Sequence, residues 1–412
     1  MRTYCKNVNI TDVRYLTDTI RDYVYGRKKK RQKVETAELL AGYSSLDKYV
    51  LLEAIKNRDG QTLEPVIITL AVYIRERIAT QTVSIPPIKY RQKIDPSSGK
   101  LRELGIQSAI HKLYDYVATV LLMPLLKARI GSTQYASIPK RGQVKGKRKL
   151  EKWMRQTKIP ARYAAQGDIR KCYQSIPIDR LKELLHKYIR NPPFMYLVNT
   201  LLDTFKHGLS IGSYLSQWLC NFYLSFAWHY AKEQLYKFRK KKDGTCTRIP
   251  LISNVLFYMD DFILIGTRKT DVKKAMMQMV LYLKDELGLT VKPNWKLFTL
   301  DYIRKGIHRG QPIDMMGYVI YRHCTKIRSK IFLRARRVWV KAKWEIRVLG
   351  NTTLQTAKRV SSYYGWFKNS SSNHYQRTQH IKNILNHTRE VMRNESLRVR
   401  NQAALNQNLS VA

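Results

Sequence analysis

Acidic residues are scarce in this chain. Its 412 residues carry 30 Asp and Glu against 76 Lys and Arg, a formal net charge of +46. A field of that size repels itself unless a polyanion compensates it. The excess runs through the whole chain, so a long phosphate backbone fits better than a membrane surface or an acidic peptide. Cysteine is scarce too: Cys5, Cys172, Cys220, Cys246 and Cys324 are scattered, odd in number and never spaced Cys-x-x-Cys. That pattern argues against a disulfide framework or a zinc site and fits a reducing, cytoplasmic setting. No N-terminal run has the apolar core of a signal peptide, and no apolar stretch approaches the ~20 residues a spanning helix needs, so no membrane is expected. No internal repeat is found. What remains is an ordinary 44% hydrophobic content and length for two or three packed units.

Residues 1 to about 75 read as helical segments broken by the basic cluster Arg27, Lys28, Lys29, Lys30, Arg31 and Lys33. The cluster suits either a grip on RNA or a solvated loop. From Ser84 two strands flank the turn signal Asp95-Pro96-Ser97-Ser98-Gly99, which predicts a hairpin. Lys93 and Arg102 fall on its two arms, placed to close on the phosphates of an incoming triphosphate. A helical stretch over 108–128 precedes a basic, glycine-containing loop with Lys140, Arg141, Lys145, Lys147, Arg148 and Lys149, suited to a nucleic-acid backbone. Within 331–349, Phe332, Ala335, Trp339, Ala342, Ile346 and Leu349 recur at three- and four-residue steps, with Ser329 and Gly350 as caps. That predicts one amphipathic helix holding Arg334, Arg336, Arg337, Lys341, Lys343 and Arg347 towards a duplex. Helical text continues to about residue 397, followed by a polar tail expected to be mobile.

The most informative segment is Val255 to Gly266, where two apolar runs meet at Asp260-Asp261. Adjacent carboxylates in a tight strand-turn-strand repel each other unless cations neutralise them. A second acid stands upstream in Gln166-Gly167-Asp168-Ile169, the only acid between Glu151 and Asp179. Phosphoryl transfer by two magnesium ions about 3.5–4 Å apart needs carboxylates from separate elements, which Asp168 and Asp260 supply. Tyr173 is placed to stack under an incoming sugar. Between the acids, Gly208 to Asn221 suits a platform for a templating base. Lys296 is expected near the leaving pyrophosphate as an acid, and Met316-Gly317-Tyr318-Val319 reads as a strand that holds a primer.

In this order the segments resemble the reverse transcriptase family: the basic hairpin, Asp168 with Tyr173, the Gly-Ser-Gln block, Tyr258-Met259-Asp260-Asp261, the Gly-Leu…Lys block and Gly317. The resemblance covers roughly residues 84–370. It implies an α+β right-hand polymerase: a basic helical N-terminal extension at 1–75, fingers at 76–160, an antiparallel-sheet palm at 161–325 with fingers helices interleaved near 180–207, and a helical thumb with its tail at 326–412. It also implies RNA-directed DNA synthesis from deoxynucleoside triphosphates, with two Mg2+ ions, replaceable by Mn2+, on Asp168, Ile169, Asp260 and Asp261. Tyr258, Met259, Ile211, Gly212 and Gln217 join Lys93, Arg102 and Tyr173 at the nucleotide. Template RNA and the RNA–DNA hybrid are the expected partners.

Many relatives carry Gln-Gly, three variable residues and Ser-Pro; here the block is Ile211-Gly212, Ser213-Tyr214-Leu215, Ser216-Gln217. That departure is similar to the enzymes of diversity-generating retroelements, in bacteria or phages. The resemblance implies copying with errors at template adenines, a small basic accessory protein, and Ile211 and Gln217 where base-pair geometry is checked. Two other readings stand beside it: an antiviral-type relative that polymerises without a template, and a non-catalytic RNA-binding scaffold.

Overall fold

The computed structural model describes residues 3–6, 9–26, 29–95, 99, 101–157 and 160–409. Arg27 and Lys28 of the basic cluster, Pro96 to Ser98 of the hairpin turn, and residues 410–412 lie outside the described residues. Packing divides the chain into two units: 1–140, 166–264 and 273–296 in the first, and 141–165, 265–272 and 297–412 in the second. Residues 141–160 and 297–325 both fall in the second unit.

The first unit opens with four helices, Val13–Tyr25, Lys30–Ala41, Lys48–Asn57 and Gly60–Ala79. Asp12, Asp47 and Asp59 cap the first, third and fourth by accepting from backbone N–H groups of the first turn. Lys30, Arg31 and Lys33 begin the second helix instead of interrupting it. Its centre is the pair Ala109–Arg129 and Tyr214–Glu233, where Leu113, Val117, Leu122, Leu219, Phe222 and Leu224 are fully buried. Each such leucine contributes about 1.5–3 kcal/mol. Ala109–Arg129 corrects one expectation. By length and composition it is apolar enough to cross a membrane, but most of it is buried, as in a core helix.

The strands of the carboxylate segment belong to a four-stranded sheet in the order Asn254–Tyr258, Asp261–Gly266, Tyr163–Asp168, Lys296–Thr299. The expected hairpin is Lys89–Ile94 paired antiparallel with Leu101–Ile106, and Lys93 lies directly opposite Arg102.

In the second unit Ile313–Met315, Tyr318–Ile320 and Thr325–Ile327 form a three-stranded antiparallel sheet. Met316 and Gly317 form its first turn, both at positive φ (+55° and +79°), the left-handed geometry that twists with a hairpin. A Cβ on Gly317 would lie 2.5 Å from the Trp366 ring, so only glycine fits. The predicted amphipathic helix is Ser329–Leu349, ended by Gly350 at φ +73°. It packs with Leu354–Lys368 and Ile381–Leu409 around Trp339, Phe367, Ile381 and Leu385. Leu349, expected in the seam, is exposed, and Val338 is buried instead. Helix runs to Leu409, some way beyond the predicted end near 397.

Candidate active site

The two strands of the carboxylate segment are joined by only Met259 and Asp260. A two-residue link forces antiparallel pairing and needs a left-handed first residue. Met259 takes that role at φ +57°, a conformation costing a non-glycine residue about 1–2 kcal/mol. The flanking strands hold the strain because Leu256, Phe257, Phe262, Ile263 and Leu264 are all buried. Asp260 is thereby held out to solvent at the turn, with Tyr258 and Asp261 half-buried beside it.

Two backbone hydrogen bonds bring the upstream acid alongside. Ile169 N–H donates to the Asp260 carbonyl at 2.9 Å, and Lys292 N–H donates to the Asp168 carbonyl at 2.9 Å. Gly167 permits the approach, since a Cβ there would sit 2.7 Å from the Phe262 ring. The Lys292 ammonium lies 2.5 Å from Asp168 Oδ1, both side chains half-buried. Lys296, expected near a leaving pyrophosphate as an acid, is exposed at the start of its strand, and Lys292, four residues earlier, is the lysine that meets the carboxylate. Lys292 was legible only as part of Val291-Lys292-Pro293, with no signal separating it from Lys296.

Desolvation by the surrounding protein, and then the Asp168 carboxylate, push the Asp260 carboxyl above the ordinary range, while Lys292 and Arg102 pull it partly back. Burial, then Asp261, raises the Tyr258 phenol. Tyr173, on the short helix Cys172–Ser175, is raised by burial, then by Cys220, Cys172 and Asp260. Among the described residues no three acids, histidines or cysteines are gathered as a complete metal cage. The donor set nevertheless fits a hard divalent ion that keeps water or phosphate in its shell. Two carboxylates on hydrogen-bonded elements repel one another, and one already accepts a cation at contact distance.

The platform block is anchored from behind. Ile211 accepts from Gly105 N–H of the hairpin at 3.0 Å. Ser213 caps the helix Tyr214–Glu233 by accepting from Ser216 N–H, and its hydroxyl donates to Asp115 Oδ2 at 2.6 Å. Gln107 Nε2 donates to the same oxygen at 2.9 Å. Asp115 is fully buried, and burial raises its pKa to about 6. His111, 3.7 Å from Oδ1, is held neutral by burial at a pKa of about 4, so no cation compensates the acid. Sequence reading missed Asp115, because a lone acid on an apolar helix gives no signal of its partners. Gly212, Tyr214 and Gln217 line a cavity of about 500 Å³ with Asp22, Glu35 and Gln107. Gln217 stands one turn before Cys220, whose sulfur is 3.8 Å from that of Cys172, the neighbour of Tyr173. On the hairpin, Arg102 is paired with Asp95 at 3.2 Å.

The expected nucleic-acid contacts separate. Lys140 is exposed at φ +61° and Arg141 is half-buried. Residues 143–155 form a helix and not a loop, which leaves Lys145 exposed but buries Lys147. This corrects the Lys147 assignment: its ammonium donates to the Asn369 carbonyl at 2.7 Å and to Glu151 at 3.1 Å, and so has no free face for a phosphate. Arg337 and Lys341 are exposed and Arg334 half-buried, but Leu333, Val340, Trp344 and Val348 are exposed among them, so that face is mixed.

A family model described as reverse transcriptase (RNA-dependent DNA polymerase) matches residues 91–353. No curated protein matches. Among solved structures, the chain is similar to telomerase from Candida tropicalis with a fragment of telomeric RNA, at 14% identity and TM-score 0.41, over 87% of this chain and 66% of that one. It is also similar to telomerase from Candida albicans with such a fragment, at 12% identity and TM-score 0.40, over 75% and 61%. The chain thus spans somewhat under two thirds of the length of these proteins.

Proposed function

The chain belongs to the reverse transcriptase family, and from that premise we propose that it is an RNA-directed DNA polymerase extending a primer with deoxynucleoside triphosphates. The observation that carries the reading is the tie between Asp168 and Asp260 inside the matched span: two acids, in an acid-poor chain, on elements joined by the Ile169–Asp260 hydrogen bond. In the right-hand assignment, the hairpin belongs to the fingers, the carboxylate sheet to the palm and the helix Ser329–Leu349 to the thumb.

Asp168 and Asp260, with Asp261 and the Ile169 carbonyl, are the groups to hold two Mg2+ ions, with Mn2+ as a substitute. Bound there, the ions would activate the 3′-hydroxyl and neutralise charge on the α-phosphate and pyrophosphate. Lys292 keeps Asp168 paired in their absence. Tyr173 presents its ring under the sugar, and Lys93 with Arg102 closes on the triphosphate once Arg102 leaves Asp95. In Asp260→Asn, extension of a primer on RNA should be lost while RNA binding persists; equal extension by both proteins would refute the assignment.

We further propose the error-prone subclass, acting in a diversity-generating retroelement with a small basic accessory protein. Support comes from the sequence Ile211-Gly212 and Ser216-Gln217, in a block held by the Gly105 and Asp115 contacts. Replacing Ile211 with Gln should lower misincorporation opposite template adenine severalfold, and an unchanged error spectrum would remove its basis.

A further inference from the structure

Between the platform helix and the carboxylate strands the chain makes a detour. Tyr236–Lys240 and Cys246–Pro250 pair antiparallel as a two-stranded hairpin, which among the described residues joins no other strand. A lone two-stranded hairpin is marginal in water. This one is held at its base, where Leu251 N–H donates to the Leu235 carbonyl at 2.8 Å and Leu235, Leu251 and Ile252 are buried. It is also held at its tip, where Gly244 takes φ +81° and Asp243 accepts from the Thr245 amide and hydroxyl. Beyond the base its side chains bury little: Phe238 is 68% exposed, and residues 239–246 are all exposed.

Its composition is the second clue. Six cations and one acid stand between Tyr236 and Pro250, and the acid is engaged in the turn. Strand alternation puts Tyr236, Phe238 and Lys240 on one face, with Arg248 opposite Phe238. Arg248 stacks over the Tyr236 ring at 3.5 Å, and Tyr236 meets Phe238 edge-on at 5.3 Å. The stack fixes one ring and leaves the flat side of the other in water, beside a run of four cations at 239–242.

We propose that this hairpin is a binding arm for an unpaired nucleic-acid strand, with Phe238 stacking on one base and Arg239, Lys240, Lys241 and Lys242 following the phosphates. Exposed cations supply backbone affinity, and an exposed ring supplies sequence-tolerant stacking, which a paired base cannot offer. An anionic membrane is the poorer partner, since one exposed aromatic on a polar face gives little to insert. The inference rests on the nucleic-acid partner proposed above and not on its chemistry.

The test is binding alone, by fluorescence anisotropy of the full chain across a salt series with single-stranded RNA, single-stranded DNA and blunt duplex RNA. Exchanging all four of residues 239–242 for Ser should shallow the log–log salt slope for single strands by about 3, at about 0.7 per lost phosphate contact. Phe238→Ala should weaken single strands about fivefold to a hundredfold and leave the blunt duplex unchanged. A larger loss for RNA or for DNA identifies which strand occupies the arm. An unchanged salt slope, equal weakening of duplex and strand by Phe238→Ala, or, with phosphatidylserine vesicles as a fourth partner, loss confined to the vesicles would each overturn the proposal.

Discussion

Asp260 and Asp115 are both carboxyls pushed up by burial, in a chain with few acids to spare, yet their surroundings differ in kind. Asp115 is satisfied from within: it is fully buried at the wall of the cavity that Gly212, Tyr214 and Gln217 line, and its Oδ2 takes bonds from Ser213 and Gln107. Asp260 is exposed at its turn, and the Asp168 carboxylate raises it further, a repulsion that Lys292 and Arg102 offset only in part. The first arrangement spends its acid on holding a loop in place. The second leaves a repulsion between carboxylates that a bound cation would relieve, and that asymmetry distinguishes the two acids.

The largest expected effect tests the open site. Asp168→Asn or Asp260→Asn should slow primer extension about 10³-fold or more, ~4 kcal/mol at about 1.36 kcal/mol per decade, while RNA affinity stays within about twofold. Single-turnover extension with titrated RNA measures both.

Next comes the closed site. A folded pKa of about 6, raised above the ordinary carboxyl value, means that the folded protein holds this proton more tightly than the unfolded chain. The stability it contributes is therefore complete at low pH and is lost as pH rises through about 6, amounting to about 3 kcal/mol for two pH units. Asp115→Asn lacks this titration. Urea melts from pH 4 to pH 7 should show the variant gaining on the native protein by about that amount, and parallel curves would show that Asp115 is not so buried.

Lys292→Gln probes how Asp168 is shared. Removing a half-exposed ion pair is worth about 1 kcal/mol, so the divalent-ion midpoint of primer extension should fall by at most about fivefold if ammonium and metal compete for one oxygen. A rise would mean that Lys292 assists the metal. Smallest is the stability of Asp260→Asn. Because its folded pKa is raised, ionised Asp260 destabilises the protein above the unfolded pKa. Without divalent ions the variant should melt higher than the native protein at pH 7, and the gap should close as the solution is acidified.

Much of this contrast was legible at one end only. The Asp260–Asp261 turn, the hairpin carrying Lys93 and Arg102, and the Ser329–Leu349 helix all follow from local periodicity and turn chemistry, which the sequence states directly. Asp115 and Lys292 were not legible, because what matters about each is a partner 98 residues away for the Asp115–Ser213 bond and 124 positions away for the Lys292–Asp168 pair. Lys147 failed for the opposite reason: a basic run looks solvated, but a helix carries one of its lysines inward to Glu151 and Asn369. The exposed Leu333, Val340, Trp344 and Val348 escaped because the seam was drawn at the other face of the helix.

If the Asp168–Asp260 pair serves templated synthesis of DNA, the full chain with Mg2+, deoxynucleoside triphosphates and either of two primed RNAs of different sequence should make DNA complementary to whichever RNA was supplied, and none as Asp260→Asn, when the product is sequenced. DNA unrelated to either RNA, or equal product from the variant, would contradict that role.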